Sequence, residues 1–168
     1  MAVILKPIEP DIDILKDYGQ YIKIPCRQAN GETDGDNEMF SYYDALGKIE
    51  TSSNEITIGI LNIKKKYFSQ SILEKHKNTC ETLTALKGDF AIPLFKDNDG
   101  SPDLKNGISF ILRQGNTFII NKGIWHYAPI PFEKTGIMQV IFNAGTPKND
   151  CYMKNVEEII VEMEDVTR

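Results

Sequence analysis

The chain has 168 residues, of which 41% are hydrophobic and 26% charged, and its formal net charge is −5. That length makes one domain with one core, burying roughly two thirds of the unfolded surface without staples. The acidic balance argues against nucleic acid and anionic membrane surfaces as partners, because both select a basic footprint.

In chain order, residues 10–19 (PDIDILKDYG) predict a short helix. Pro10 is tolerated in a first turn, Ile12, Leu15 and Tyr18 share a helical face, and Gly19 is placed to cap the C-terminus. Residues 29–37 carry Asn-Gly and Asp-Gly turn signals and predict a surface loop. From there the pattern is β. Met39–Tyr43 predicts a short strand. Over Ile56–Ile63, Ile56, Ile58 and Ile60 alternate with Thr57 and Gly59. Ser71–Lys77 leads through a polar bend into Thr79–Leu86. Phe90–Phe95 predicts another strand, with Pro93 suggesting an edge or a bulge. Residues 97–103 (DNDGSPD) form a turn cluster. Ile108–Leu112, Thr117–Ile120 and Ile137–Phe142 follow as strands, and Val156–Met163 fits either a helix or a strand. Many short strands between turn residues predict a mainly β sandwich or barrel in a single domain over residues 1–168.

The three cysteines, Cys26, Cys80 and Cys151, are odd in number and far apart, with no CxxC pair. They predict free thiols in a reducing compartment. The opening MAVILKPIEP lacks the basic and long apolar regions of a signal peptide, and no apolar run is long enough to span a bilayer. The expected location is the cytoplasm.

The chain has only two histidines, and each stands in a distinctive segment. The first segment runs Glu74-Lys-His76-Lys-Asn-Thr-Cys-Glu81, then on to Gly88. The second runs from Gly115 to Asn121-Lys-Gly123-Ile-Trp-His126. This pair resembles the two cupin motifs. Glu74 takes the place of the first motif histidine, and His76, Glu81 and Gly88 fall in register. Gly115, Gly123 and His126 fall in register in the second motif, with Asn121 replacing the usual proline. The resemblance implies a double-stranded β-helix (cupin, jelly-roll) barrel with a short N-terminal helix. Strand alternation can bring such positions together inside a barrel. Imidazole and carboxylate suit Zn, Mn, Fe or Ni. His76, Glu81 and His126 would leave open positions on such a divalent metal, and Glu74 could be a fourth ligand.

A closer resemblance, over nearly the whole chain, is to the ureidoglycolate lyase family of cupins. It is carried by Asp17-Tyr18-Gly19, Tyr43-Asp44, Glu74-Lys-His76, Lys87-Gly88, Pro102-Asp103-Leu104 and Lys122-Gly123-Ile-Trp125-His126. The resemblance implies cleavage of ureidoglycolate to glyoxylate and urea, a place in allantoin degradation and purine catabolism, and a homodimer. His126, His76 and Glu81 are then the expected acid/base groups, His126 foremost. Lys122 matches the family's basic position and is the candidate for the substrate carboxylate, with Asn121 and Tyr127 beside it. The chain departs from the family at Asn121 and Tyr127, where histidines are common, and at Ile108, where an arginine is expected. Two other readings stand beside the lyase: a non-catalytic cupin binding a small hydroxy acid or sugar, and a metal-dependent isomerase or dioxygenase.

The remaining motifs carry less. Trp125 reads as core packing. Cys80, next to Glu81, points to the opposite strand face and reads as a buried, inert thiol. The DNDG at 97–100 lacks the glycine position and closing glutamate of a calcium loop. Lys64-Lys65-Lys66 reads as a solvated patch.

Overall fold

The computed structural model describes residues 2–24, 35–64 and 67–163. Cys26, residues 29–34 of the expected loop, and Lys65 and Lys66 lie outside the described residues. In chain order the elements begin with β1 (Val3–Leu5), β2 (Pro7–Ile8), α1 (Ile12–Leu15) and β3 (Gly19–Ile22). Next come β4 (Gly35–Asp36), β5 (Ser41–Tyr42), β6 (Ile56–Ile63), β7 (Ser69–Lys75), β8 (Glu81–Lys87) and β9 (Phe90–Leu94). They continue with β10 (Asp97–Asn98), β11 (Ser101–Pro102), a 3₁₀ turn (Leu104–Asn106), β12 (Ile108–Leu112) and β13 (Thr117–Ile120). The last are β14 (Ile130–Pro131), β15 (Gly136–Asn143), α2 (Thr146–Asn149) and β16 (Tyr152–Val161).

One wall of the molecule is a five-stranded antiparallel sheet in the order β3-β13-β8-β15-β6. The facing wall is made of β14-β9-β12-β2 and β1-β16-β7. Two backbone bridges, Glu74 to His126 and Phe95 to Trp125, tie its halves together through the 124–126 segment. This is a mainly β cupin jelly roll, as expected. Register sets which side chains meet inside. Leu83 is opposite both Phe118 and Val140, so all three point to one face. Leu83 and Phe118 pack there with Phe110, Ile92, Leu112 and Met138, all essentially free of solvent.

Several sequence expectations are corrected. The helix is only one turn, Ile12–Leu15, capped at its start by the Asp11 side chain, which accepts from Asp13 N. Its C-cap is Lys16, not Gly19. Ile12 is exposed, while Leu15 and Tyr18 enter the core. Gly19 instead opens β3, where a Cβ would stand 2.1 Å from the Ile119 carbonyl oxygen and 2.6 Å from the Phe118 ring. The strand expected over Met39–Tyr43 shrinks to Ser41–Tyr42, paired with Gly35–Asp36. Pro93 is not on an edge, since β9 lies between β14 and β12. Its missing N–H goes unasked for, because Pro93 falls between the β14 pairing at Phe90–Ala91 and the Phe95–Trp125 bridge. The chain from 152 to 161 is a strand, paired with both β7 and β1.

The isoleucine row of β6 faces outward: Ile56, Ile58 and Ile60 are each more than half exposed. Among the described residues, no helix is long and apolar enough to cross a membrane. The tight approach at Gly19 gives a first prediction. Gly19→Ala should cost about 1–3 kcal/mol through overpacking. Gly35→Ala, where the nearest atom is 3.7 Å from the added Cβ, should stay within about 0.5 kcal/mol. Urea unfolding of the two variants beside the parent measures both.

Candidate active site

The site grows out of the bridge between β7 and the segment before β14. Glu74 N donates to His126 O at 2.7 Å, and His126 N donates to Glu74 O at 2.8 Å. Directly paired residues project to the same side, so Glu74 and His126 share the inner face. His76 follows two residues after Glu74, and its carbonyl accepts from Gly123 N at 2.7 Å. Gly123 holds φ +80, a conformation open to glycine at no steric cost, and so turns the chain back toward β7 just before His126. Glu81, the first residue of β8, comes from the opposite wall.

The result is a buried cluster. His76 Nε2 lies 2.8 Å from Glu81 Oε2, and His126 Nε2 lies 3.4 Å from the same oxygen. The two rings meet edge to face with centroids 5.2 Å apart. Both Nδ1 atoms face backbone carbonyls, His76 that of Asp150 at 2.8 Å and His126 that of Ile124 at 2.9 Å. A carbonyl only accepts, so both Nδ1 atoms carry hydrogen and both Nε2 atoms turn toward Glu81. An ionised Oε2 is also an acceptor, so a proton or a cation has to lie between it and an imidazole. Burial pushes the Glu81 carboxyl up. The His126 charge and hydrogen bonds from both imidazoles outweigh it and hold the pKa at about 2. Burial alone would lower the His126 pKa; the Glu81 carboxylate beside it raises it overall.

Asp150, just past α2, organises His76 further. Its carboxylate accepts from Lys77 N at 3.0 Å and from Asn78 N at 2.8 Å, fixing the bend after His76. Behind the site, on the outer face, the Asp97 carboxylate accepts from Lys75 Nζ and from Trp125 Nε1 at 2.6 Å. Lys75 also lies over the Trp125 ring, 4.5 Å from its centroid. Trp125 is packing, as expected, beside Leu5, Leu73, Phe95 and Ile159. Its indole N–H additionally fastens the strand that bears His126.

The cluster forms the polar end of a cavity of about 500 Å³. Glu74, His76, Glu81, Tyr127 and Cys151 line that end. Cys151 Sγ donates to Glu74 Oε2 at 2.8 Å, and burial with this carboxylate contact pushes its thiol up to about 12. Cys80 is buried, as its position next to Glu81 implied. Glu74, His76 and His126 offer ligand atoms that lie within 4.8 Å of one another. Two imidazole nitrogens and a carboxylate suit Zn, Mn, Fe or Ni. The carbonyl contacts at both Nδ1 atoms are the outer-shell arrangement that aims metal-bound histidines. The residues present therefore fit a divalent ion.

A family model described as Ureidoglycolate lyase matches residues 6–164. The chain belongs to the ureidoglycolate lyase family. No curated protein matches it. It is similar to solved structures at low identity. Peruvianin-I, a cysteine peptidase from Thevetia peruviana latex, is 16% identical with TM-score 0.43, over 61% of this chain and 56% of that one. A dTDP-4-dehydrorhamnose 3,5-epimerase from Bacillus anthracis is 13% identical with TM-score 0.44, over 56% of each chain. A dTDP-6-deoxy-D-glucose-3,5-epimerase from Legionella pneumophila is 16% identical with TM-score 0.43, over 65% of this chain and 55% of that one. The chain thus spans little more than half the length of these structures.

Measured against the family expectation, the structure brings Glu74, His76, Glu81 and Tyr127 to one cavity, while His126 stands just behind its lining, 3.4 Å from Glu81 Oε2. It does not bring Lys122, whose ammonium pairs with Glu50 at 3.3 Å. Asn121 is not in the cavity lining either; its backbone N–H donates to Tyr18 O. Ile108, at the expected arginine position, packs against the main core. Sequence reasoning missed Asp150, Cys151, Val140 and Phe142. Phe142 was visible as the end of a strand, and its ring meets His76 with centroids 6.0 Å apart.

The Glu81–His126 pair gives a pH prediction. Glu81 titrates lower in the fold than its ordinary 4.5, so its contribution is complete above that value and fades as pH falls toward about 2. His126 titrates above its ordinary 6.5, so its contribution is complete below that value and is lost as pH rises through the raised pKa. Stability of the parent should fall on both sides of this window. Glu81→Gln should flatten both limbs in denaturant titrations across pH, and Glu81→Ala should cost about 3–5 kcal/mol in mid-window.

Proposed function

We propose that this chain is a ureidoglycolate lyase-like enzyme that cleaves ureidoglycolate to glyoxylate and urea by acid/base chemistry in the barrel. The observation that supports it most is the buried Glu81 carboxylate shared by two imidazoles at the end of a cavity, in a chain of this family. The substrate is a hemiaminal. Its hydroxyl loses a proton as the carbonyl forms, the carbon–nitrogen bond breaks, and the departing urea nitrogen gains a proton. His126, with its raised pKa, is stocked with a proton near neutrality and serves as the acid at the leaving nitrogen. With the cluster's proton held between His126 and Glu81, the His76 Nε2 carries none and is the group placed to take the hydroxyl proton. Glu81 orients both rings and passes no proton itself. It balances whichever imidazole is charged, so the proton can change rings without uncovering a buried charge.

Glu74, His76 and His126 would hold a divalent ion, which polarises a hydroxyl or carbonyl oxygen when bound. No lysine or arginine lines the cavity among the described residues. The substrate carboxylate is therefore met by protonated imidazole or by such an ion. This lack of a fixed cation also favours a second reading, a cupin that binds another small hydroxy acid or sugar without turnover. The free Cys80 and Cys151 fit a reducing, cytoplasmic setting, and the reaction would lie in allantoin degradation within purine catabolism.

Purified protein given ureidoglycolate, with and without Mn, Zn or Ni, should release glyoxylate above the spontaneous rate. His126→Ala should lower kcat by about 10²–10⁴ while the fold stays intact. Release equal to that variant would transfer the chain to the binding reading.

The homodimer belongs to the same proposal. Ile56, Ile58 and Ile60 make an uncharged, outward apolar row on the edge strand of the five-stranded sheet, a surface suited to a second copy. Sedimentation should give a dimer, and Ile58→Lys should give a monomer.

A further inference from the structure

The cavity is larger and more apolar than its proposed small substrate needs. At about 500 Å³ it matches the pockets of roughly 300–1,000 Å³ that enclose drug-sized ligands. Ureidoglycolate, a three-carbon acid, would fill a small part of it. The polarity is also one-sided. Glu74, His76, Glu81 and Cys151 hold one end, while Leu61, Val140, Phe142, Pro129 and Met153 line the rest. The two regions are continuous, because the Phe142 ring stands edge-on to His76. A ureido NH₂ gains nothing from such a wall, and a buried polar group without a partner loses the hydrogen bonds it had in water. An apolar substituent at that place gains from burial.

We propose that the substrate class is an N-acylated α-hydroxyglycine, in which an aryl or branched alkyl group replaces the NH₂ of ureidoglycolate. The inference rests on the hemiaminal-cleavage reading of the same site. The acid/base groups keep their roles. The hydroxyl proton passes to His76 and the carbonyl of glyoxylate forms. The carbon–nitrogen bond breaks, and the nitrogen leaves as a primary amide with a proton from His126. The apolar group rests against Val140, Phe142 and Met153 and anchors the substrate, a task that no cationic side chain in the cavity lining performs. Glu74 is placed to accept from the amide N–H.

Two unreactive analogues separate this proposal from the reading beneath it. N-benzoylglycine and N-carbamoylglycine share the glycine carboxylate and differ in the group that meets the wall. Calorimetry on the whole chain should show N-benzoylglycine binding at least about tenfold tighter. Val140→Trp, which fills the wall, should erase that advantage. Met153→Glu, at an exposed rim position that the fold tolerates, should reduce it about tenfold. Equal affinities, a preference for N-carbamoylglycine, no binding of either, or a preference untouched by both variants would overturn the proposal. Turnover is scored separately, with N-benzoyl-α-hydroxyglycine expected to release benzamide and glyoxylate faster than ureidoglycolate releases urea. A binding preference with cleavage of neither hemiaminal would sink the lyase reading while upholding the ligand class.

Discussion

Two backbone hydrogen bonds between Glu74 and His126 hold the site together. They join β7 to the segment that carries the second histidine, and so close one wall of the barrel at the place where the two imidazoles and Glu81 meet. Direct pairing sends both side chains inward, the strand period sends His76 inward after Glu74, and the opposite wall supplies Glu81. A one-residue slip at this bridge would turn His126 outward and bring Trp125 in. The Asp97 carboxylate guards against that slip from outside by holding Trp125 Nε1 and Lys75 together.

The same bridge makes a costly arrangement tolerable. A carboxylate and two imidazoles with almost no solvent contact lose most of their hydration, and an uncompensated charge there would unfold a marginally stable domain. Compensation is local. Both Nδ1 atoms donate to backbone carbonyls and both Nε2 atoms face the same Glu81 oxygen, so one proton held between them offsets the buried carboxylate without water. Such a group is rigid in position yet able to exchange a proton, as acid/base work requires.

How much of this was legible in the sequence depends on how far apart the cooperating residues lie. The spacing of His76, Glu81, Gly123 and His126 follows local strand and turn geometry, so it could be read, along with the strands Ile108–Leu112 and Thr117–Ile120. Gly19 was misread because a glycine after a helical pattern looks like a cap, whereas its reason is the Ile119 carbonyl, a hundred residues later in the chain. Lys122 falls outside the cavity lining because motif register places a backbone, and its long side chain extends to Glu50 instead. Asp150 carried no local signal, since it acts on His76 partly through its own backbone carbonyl. Val140 and Phe142 could be predicted as strand residues, but the hydrophobic pattern cannot distinguish a core face from a cavity wall.

The contact between the His76 ring and the Asp150 carbonyl also bears on the order in which the protein is made. The two residues are 74 positions apart, and the strand pairing that supports them joins β7 to β16. A chain leaving the ribosome has His76 outside 74 residues before Asp150 is available to orient it. Non-local contacts of this kind form late and slowly. The nascent chain can therefore collapse around its apolar interior while its imidazoles still point at random. Order in the cluster arrives as a closing step of maturation, and a polypeptide released short of Asp150 would keep much of the barrel's sequence yet lack the carbonyl that orients the His76 ring.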